Sequence, residues 1–256
     1  MSNSDATPGP PLKLVFKSLL RADFEVFLQR RRALVVGLLL PIFLLVTTRG
    51  DKAAHQFDGA VFIIGLAISY ALLATSVLGY ALTVSRDRER GVFQRLRVTP
   101  AATWTIMASR LTVQVLVNLI ISLVVVIVGT RIHHISPSIG QYGLVLAVSI
   151  LGGAVFLSIG QALAGLVKSA ETMQALARVL FAVLILLGIL GQTGALGTFW
   201  SDIARWSPVG VVMTLFAGVL QLSDWHSRET FSILACFVYV AVCTGLGIRW
   251  FQWDTR

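Results

Sequence analysis

Residues 59–100 read GAVFIIGLAISYALLATSVLGYALTVSRDRERGVFQRLRVTP. No charge interrupts Gly59–Ser85, and then seven of the twelve residues from Arg86 to Arg97 are charged. An uncharged run of this length can cross a bilayer as a helix, because about 20 residues suffice. A dense cluster of charge stays in water. The stretch therefore reads as a membrane span that empties into a polar loop. The rest of the chain follows suit: of 256 residues, 56% are hydrophobic and 13% charged, about half the charge of a soluble domain. The class is an all-α, polytopic integral membrane protein.

Four more runs of spanning length follow, Thr105–Thr130, Tyr142–Val167, Val179–Phe199 and Phe231–Trp250. A shorter one, Ala33–Thr48, contains Pro41 and spans if it is tilted or extended upstream. It is read as a retained helix, because a long leader precedes it and no small-x-small cleavage site follows. Six spans result, within one membrane domain over residues 33–256. With a cytoplasmic N-terminus, only Arg49, Lys52, Arg131, Arg205 and Arg228 of the 21 Lys and Arg residues fall outside. That is a positive-inside bias with both termini cytoplasmic. The net charge of +9 is thereby assigned to a membrane surface and not to nucleic acid. His55, His133, His134 and His226 fall outside, with no two at a ligand spacing. Cys236 and Cys243, two helical turns apart, read as small packing residues.

Residues 1–11 read as disordered. Residues 12–32 form a basic amphipathic helix of the interfacial kind: Leu12, Phe16, Leu19, Leu20, Phe24, Phe27 and Leu28 recur at helical spacing, and Lys13, Lys17 and Arg21 share another face. Val209–Leu222 follows Ser207-Pro208 and is too short to span. Residues 194–230 are therefore read as an external, partly embedded cap, re-entrant or interfacial, with Trp200, Trp206 and Trp225 at headgroup depth.

The spans hold no Asp, Glu or His. Ion-coupled carriers usually need a buried carboxylate or a broken-helix ion site, and an intramembrane hydrolase needs a nucleophile with a base or metal ligands. No catalytic or metal-binding residue is assigned, and the chain is expected not to be an enzyme. What remains polar is neutral. Gln114, Asn118 and Ser122 are spaced by four on one face of the third span, and Ser69, Ser76 and Thr83 recur on the second with Tyr80 nearby. Unpaired amides cost roughly 2–7 kcal/mol in hydrocarbon, so this face meets protein or water. Helix packing and the lining of a translocation path both satisfy that requirement.

The charged stretch carries Val92, Phe93 and Leu96 within about one helical turn, and Thr99-Pro100 ends the pattern. A short amphipathic helix of this kind docks into a groove on a soluble partner. "SRDRERGVFQRLRVTPAATWTIMASRL" resembles the signature of permease subunits of the type-2 ABC exporter family, related to ABCG-like and daunorubicin-resistance-type membrane proteins. The matching positions are Glu89, Arg90, Gly91, Leu96, Thr99 and Pro100; Gln94 stands where many members carry an acid. The N-terminal interfacial helix, the six spans, a Gly-rich fourth span and the stretch from Trp200 to Val212 resemble the family as well.

The resemblance implies a coupling helix in the cytoplasmic loop 86–104, with Arg86, Asp87, Glu89, Arg90, Gly91, Val92, Phe93, Leu96, Thr99 and Pro100 facing an ATP-binding subunit. The chain has no GxxxxGK[ST] motif, so ATP and Mg are assigned to that partner and no cofactor to this chain. Two such subunits, a second identical or homologous permease and membrane lipids complete the implied assembly in a bacterial plasma membrane. Substrate passes between the permeases chiefly along spans two and five, which include Ser76, Tyr80, Phe181 and Gln192. Gln114, Asn118 and Ser122 either line that path or support it from behind. Neutral and aromatic groups point to hydrophobic drugs, antibiotics or lipid-like amphiphiles as cargo. Export of a polysaccharide or lipid-linked glycan, and a non-transporting scaffold or sensor that recruits a cytoplasmic partner, are the alternatives.

Overall fold

The computed structural model describes residues 31–49, 59–92, 103–167, 169–193 and 197–250, together with Phe16, Ser18, Leu20, Arg21, Phe24 and Glu25, all six of them helical. Arg21 and Glu25 form an exposed i,i+4 pair at 3.0 Å. The segment 1–11 and the positions Phe93, Leu96, Thr99 and Pro100 lie outside the described residues, as does the side chain of Gln192.

Every element among the described residues is helical. These elements are α1 (Arg31–Thr47), α2 (Ala60–Glu89, with a π-helical segment Ala74–Ala81), α3 (Thr103–Ile132), α4 (Ile139–Leu166), α5 (Ala170–Thr193), α6 (Thr198–Trp206), α7 (Pro208–Leu220) and α8 (Ser227–Trp250). Five of them, α2, α3, α4, α5 and α8, are long and apolar enough to cross a membrane. In α1 the apolar part is the shorter Gly37–Thr47, with Pro41 inside the helix.

α2 is the axis of the bundle. Of its apolar window 72% is buried, against 17% for α8. α1, α3, α4, α5 and α7 all pack on it, while α8 lies outside against α4 and α7. Ile63, Ile64, Leu66, Ile68, Leu72 and Leu73 are wholly enclosed. Phe231, Leu234, Phe237 and Val242 of α8 remain exposed, as expected of a helix whose outer face meets lipid.

Two boundaries depart from the hydrophobic runs. α5 begins at Ala170, not Val179, because Ser169 starts the helix: its hydroxyl accepts from the Thr172 amide at 3.1 Å. Glu171 adds a favourable charge in the first turn. Glu171 and Arg178 are exposed there, so the polar residues that interrupt the apolar run do not interrupt the helix. At the far end α5 stops at Thr193, and Phe199 belongs to α6.

α6 and α7 meet at a 77° bend, and their neighbours show that the pair enters and leaves on one side. Gly218 lies against Glu229 at the start of α8. The side chain of Gln141, on the first turn of α4, donates to the Leu220 carbonyl at 2.9 Å. At the bend, the Tyr239 hydroxyl donates to the Trp206 carbonyl at 2.7 Å. Tyr239 is twelve residues into α8, about 18 Å along it at 1.5 Å per residue. The pair is re-entrant, and Trp206 sits at its tip, level with the middle of α8. Only Trp200 and Trp225 stay near the rim where all three tryptophans were expected.

The corner is built from Ser207, Pro208 and Gly210. Ser207 accepts from the Gly210 amide at 3.1 Å and donates to the Ala204 carbonyl at 2.7 Å, so one hydroxyl joins both helices. Proline at the first helical position needs no amide partner. At the other end Gln141 serves twice. Its Oε1 accepts from the Ser138 amide in a capping box while its Nε2 closes the carbonyl end of α7. Gln141→Leu removes both sets of contacts. It should cost about 1–2 kcal/mol, read as a lower midpoint in detergent-resistance melting, whereas Gln141→Glu keeps the capping acceptor and loses only the donor.

Candidate functional site

α2 continues through the charged stretch to Glu89, so Arg86–Glu89 are its last turn and not the beginning of a loop. Gly91 then ends it with φ +67°, a left-handed conformation that glycine adopts without penalty. Its amide bonds the Arg88 carbonyl at 3.1 Å, and the Arg90 amide bonds that of Arg86 at 3.0 Å. The glycine of the Glu-Arg-Gly motif is a helix terminator. Gly91→Ala should therefore cost about 1 kcal/mol, detectable as a lowered melting midpoint with the spans otherwise intact.

Consecutive residues on a helix point about 100° apart. Here three consecutive side chains reach three different helices. Asp87 pairs with Arg110 of α3 at 2.8 Å, each side chain only 15% exposed. The Arg88 guanidinium donates to the Ala164 carbonyl of α4 at 2.9 Å and to the Val167 carbonyl just beyond it. These are carbonyls that the end of α4 leaves without intrahelical partners. Glu89 accepts from the Ala170 amide, the first of α5, at 2.5 Å, with its charge at the favourable end of that helix. Arg88 is 6% exposed and was not among the residues singled out from the sequence. Arg86 and Arg90 are exposed, and Gly91 and Val92 are half-buried.

Further along α2, the amide face of α3 closes on the π segment. Asn118 accepts from the Thr75 hydroxyl at 2.9 Å and from the Gln114 side chain at 3.1 Å, and donates to the Ser76 hydroxyl at 3.3 Å. Gln114 also reaches the Thr75 carbonyl at 3.4 Å. All four groups are buried. Ser122 is buried as well, and its hydroxyl has no hydrogen-bond partner among the described residues. Thr75, central to the network, was missed in the sequence because it falls outside the seven-residue recurrence that marks Ser76.

The remaining path candidates separate. Tyr80 is buried with Val84, Leu157 and Ala164, on the α4 side of α2. Phe181 lines a cavity of about 230 Å³ between α1, α2 and α5, with Gly37, Pro41, Tyr70, Ala74 and Leu78. The Tyr70 hydroxyl is turned from it to the Ile185 carbonyl, at 2.7 Å. The cavity wall is apolar. Ser76, Gln114 and Asn118 are thus brought together, whereas Phe181 lines the cavity; Gly37 of the same wall lies against Thr75 of the network, 3.3 Å from an added Cβ.

Beyond the far end of α3, burial first and the neighbouring His134 second hold His133 below the usual histidine range. No group of three or more metal-ligating side chains occurs among the described residues.

Comparison with curated proteins finds no match to the chain. A family model described as ABC-2 type transporter matches residues 15–221, from the N-terminal segment to the end of α7. A buried axial helix that gathers its neighbours at one end, a re-entrant pair at the other and this match over most of the chain lead to one conclusion: the chain belongs to the ABC-2 type transporter family, as a multi-pass membrane permease subunit of the kind that works with an ABC ATP-binding partner.

Proposed function

We propose that this chain is the permease of an ATP-driven exporter for hydrophobic drugs, antibiotics or lipid-like amphiphiles. It pairs with a second, identical or homologous permease and is driven by two separate ATP-binding subunits, which carry ATP and Mg. In this reading the termini are cytoplasmic, the membrane is a bacterial plasma membrane, and the charged end of α2 faces the ATP-binding subunits. The observation that carries it is the threefold contact of Asp87, Arg88 and Glu89. A push on the segment that follows Gly91 reaches α3, α4 and α5 through one turn of helix. Nucleotide biases the inward–outward equilibrium only by its differential affinity for the two states, and a rigid link to three helices lets that difference be felt across the bundle.

The apolar wall around Phe181 suits a neutral, hydrophobic cargo. Gln114 and Asn118 act from behind, fixing the helix that borders the cavity. Asn118→Leu should then reduce the yield of folded protein and leave the substrate profile of what remains unchanged. An altered profile at normal yield would place Asn118 on the path.

The coupling assignment is tested by Phe93→Asp combined with Leu96→Asp. The pair should abolish co-purification of the ATP-binding subunit, or uncouple its ATPase activity from cargo, while the permease still inserts. Unchanged assembly and transport would remove these residues from the coupling surface.

A further inference from the structure

The charges from Arg86 to Arg90 alternate strictly: plus, minus, plus, minus, plus. Simple solubility does not require this order, nor does it bury the middle of the run. Asp87 faces the Arg110 cation, Arg88 the carbonyl end of α4, and Glu89 the amide end of α5. Each contact joins opposite signs, counting the partial charges at helix ends.

A slip of α2 by one residue turns its end through about 100° and replaces each side chain by its neighbour. In one direction Arg88 meets Arg110, Glu89 meets the α4 carbonyls and Arg90 meets the α5 amides. In the other, Arg86 meets Arg110, Asp87 meets the carbonyls and Arg88 meets the amides. Every contact changes from attraction to repulsion, whichever way the helix moves.

α2 also contains the place where such a slip can start. Ala74–Ala81 is π-helical, a form that closes its hydrogen bonds one residue further along than an α-helix and is frequent at functional sites. Converting that turn to α-helix is a one-residue slip of everything after it. Gln114 and Asn118 engage the widened turn at Thr75 and Ser76. On its other side, a Cβ on Gly160 would lie 3.1 Å from the Ser76 carbonyl.

We infer that the alternating charges Arg86–Arg90 are a register lock on α2. They hold its charged end in one of the rotational settings that the π segment makes available, so that force on this end moves α3, α4 and α5 together and is not lost as helix slippage. Asp87, Arg88 and Glu89 are its positioning residues. The register itself stands independently of cargo, while the force it transmits rests on the ATP-driven reading.

Register can be read by disulfide formation in the full-length protein in membranes, with Cys236 and Cys243 first replaced by alanine. Val84 packs in one cluster with Ala164. Thr83→Cys, Val84→Cys and Ser85→Cys, each combined with Ala164→Cys, report which residue faces α4. With native charges the strongest bond forms from position 84. Inverting the run by Asp87→Arg, Arg88→Asp and Glu89→Arg should shift it by one residue, to 83 or 85; a bond that stays at 84 overturns the lock. Deleting Gly79 should leave the bond at 84, because the π turn closes while the charges hold. A shift to 85 overturns the proposal. Should the inverted protein fail to insert, the milder Asp87→Asn, Arg88→Gln and Glu89→Gln set decides. It should spread bonding across all three positions, and bonding confined to 84 overturns the lock.

Discussion

Arg88→Glu is expected to abolish transport and to leave little protein that survives extraction in mild detergent. The native guanidinium is 6% exposed and donates to two carbonyls at the end of α4. Charge-assisted bonds contribute about 1.5–3 kcal/mol each, so the loss of both costs at least about 3 kcal/mol. The carboxylate would add repulsion from those carbonyls and from the negative end of the helix. Arg88→Lys should recover part of the folded yield, since an ammonium can serve the carbonyls but lacks the planar fork that reaches both at once. Arg90→Glu, on an exposed neighbour, should leave the yield unchanged. Size-exclusion recovery of the three variants separates these outcomes, and equal recovery for Arg88→Glu and Arg90→Glu would contradict the role given to Arg88.

Gly210→Val is expected to have a comparable effect at the other end of the molecule. A Cβ at this position would lie 2.1 Å from the Ala204 carbonyl oxygen and 2.7 Å from that of Arg205. Both are backbone atoms, so no side-chain rotation relieves the overlap. The corner cannot open without breaking the Ser207 bonds that hold α6 to α7. Since α7 is buried over almost its whole length, the strain passes directly to the contact with α2. A cost above about 3 kcal/mol follows, at the upper end for overpacked sites. Gly143→Ala in α4 is the matched control: nothing lies within 4 Å of its added Cβ, and a helix interior favours alanine by up to about 1 kcal/mol.

The helical class and the five long spanning runs were legible from apolar stretches alone, because lipid imposes both length and the absence of charge; α6 was not, its Phe199 having been read as the end of the preceding span. The Ser-Pro corner was equally plain, since that pair marks a helix start in any solvent. Positions set by neighbours were less legible. Arg88 looks like one more charge in a solvated run, and only the placement of α4 reveals that its carbonyls end there. The start of α5 was hidden because Glu171 and Arg178 break the hydrophobic run without breaking the helix. The amide face of α3 was visible as a pattern, but its choice between packing and lining depended on Thr75 and Ser76 being opposite it. The π segment left no composition signal at all, since Ala74–Ala81 reads as ordinary membrane helix.

The most direct measurement is ATP-dependent accumulation of a hydrophobic fluorescent substrate in inverted membrane vesicles. The vesicles would contain this chain together with its ATP-binding subunit, with and without Phe93→Asp and Leu96→Asp. The prediction is uptake that requires hydrolysable ATP and disappears in the double variant, with the permease still present in the membrane. Uptake by the double variant equal to that of the unaltered complex, or accumulation that proceeds equally without ATP, would contradict it.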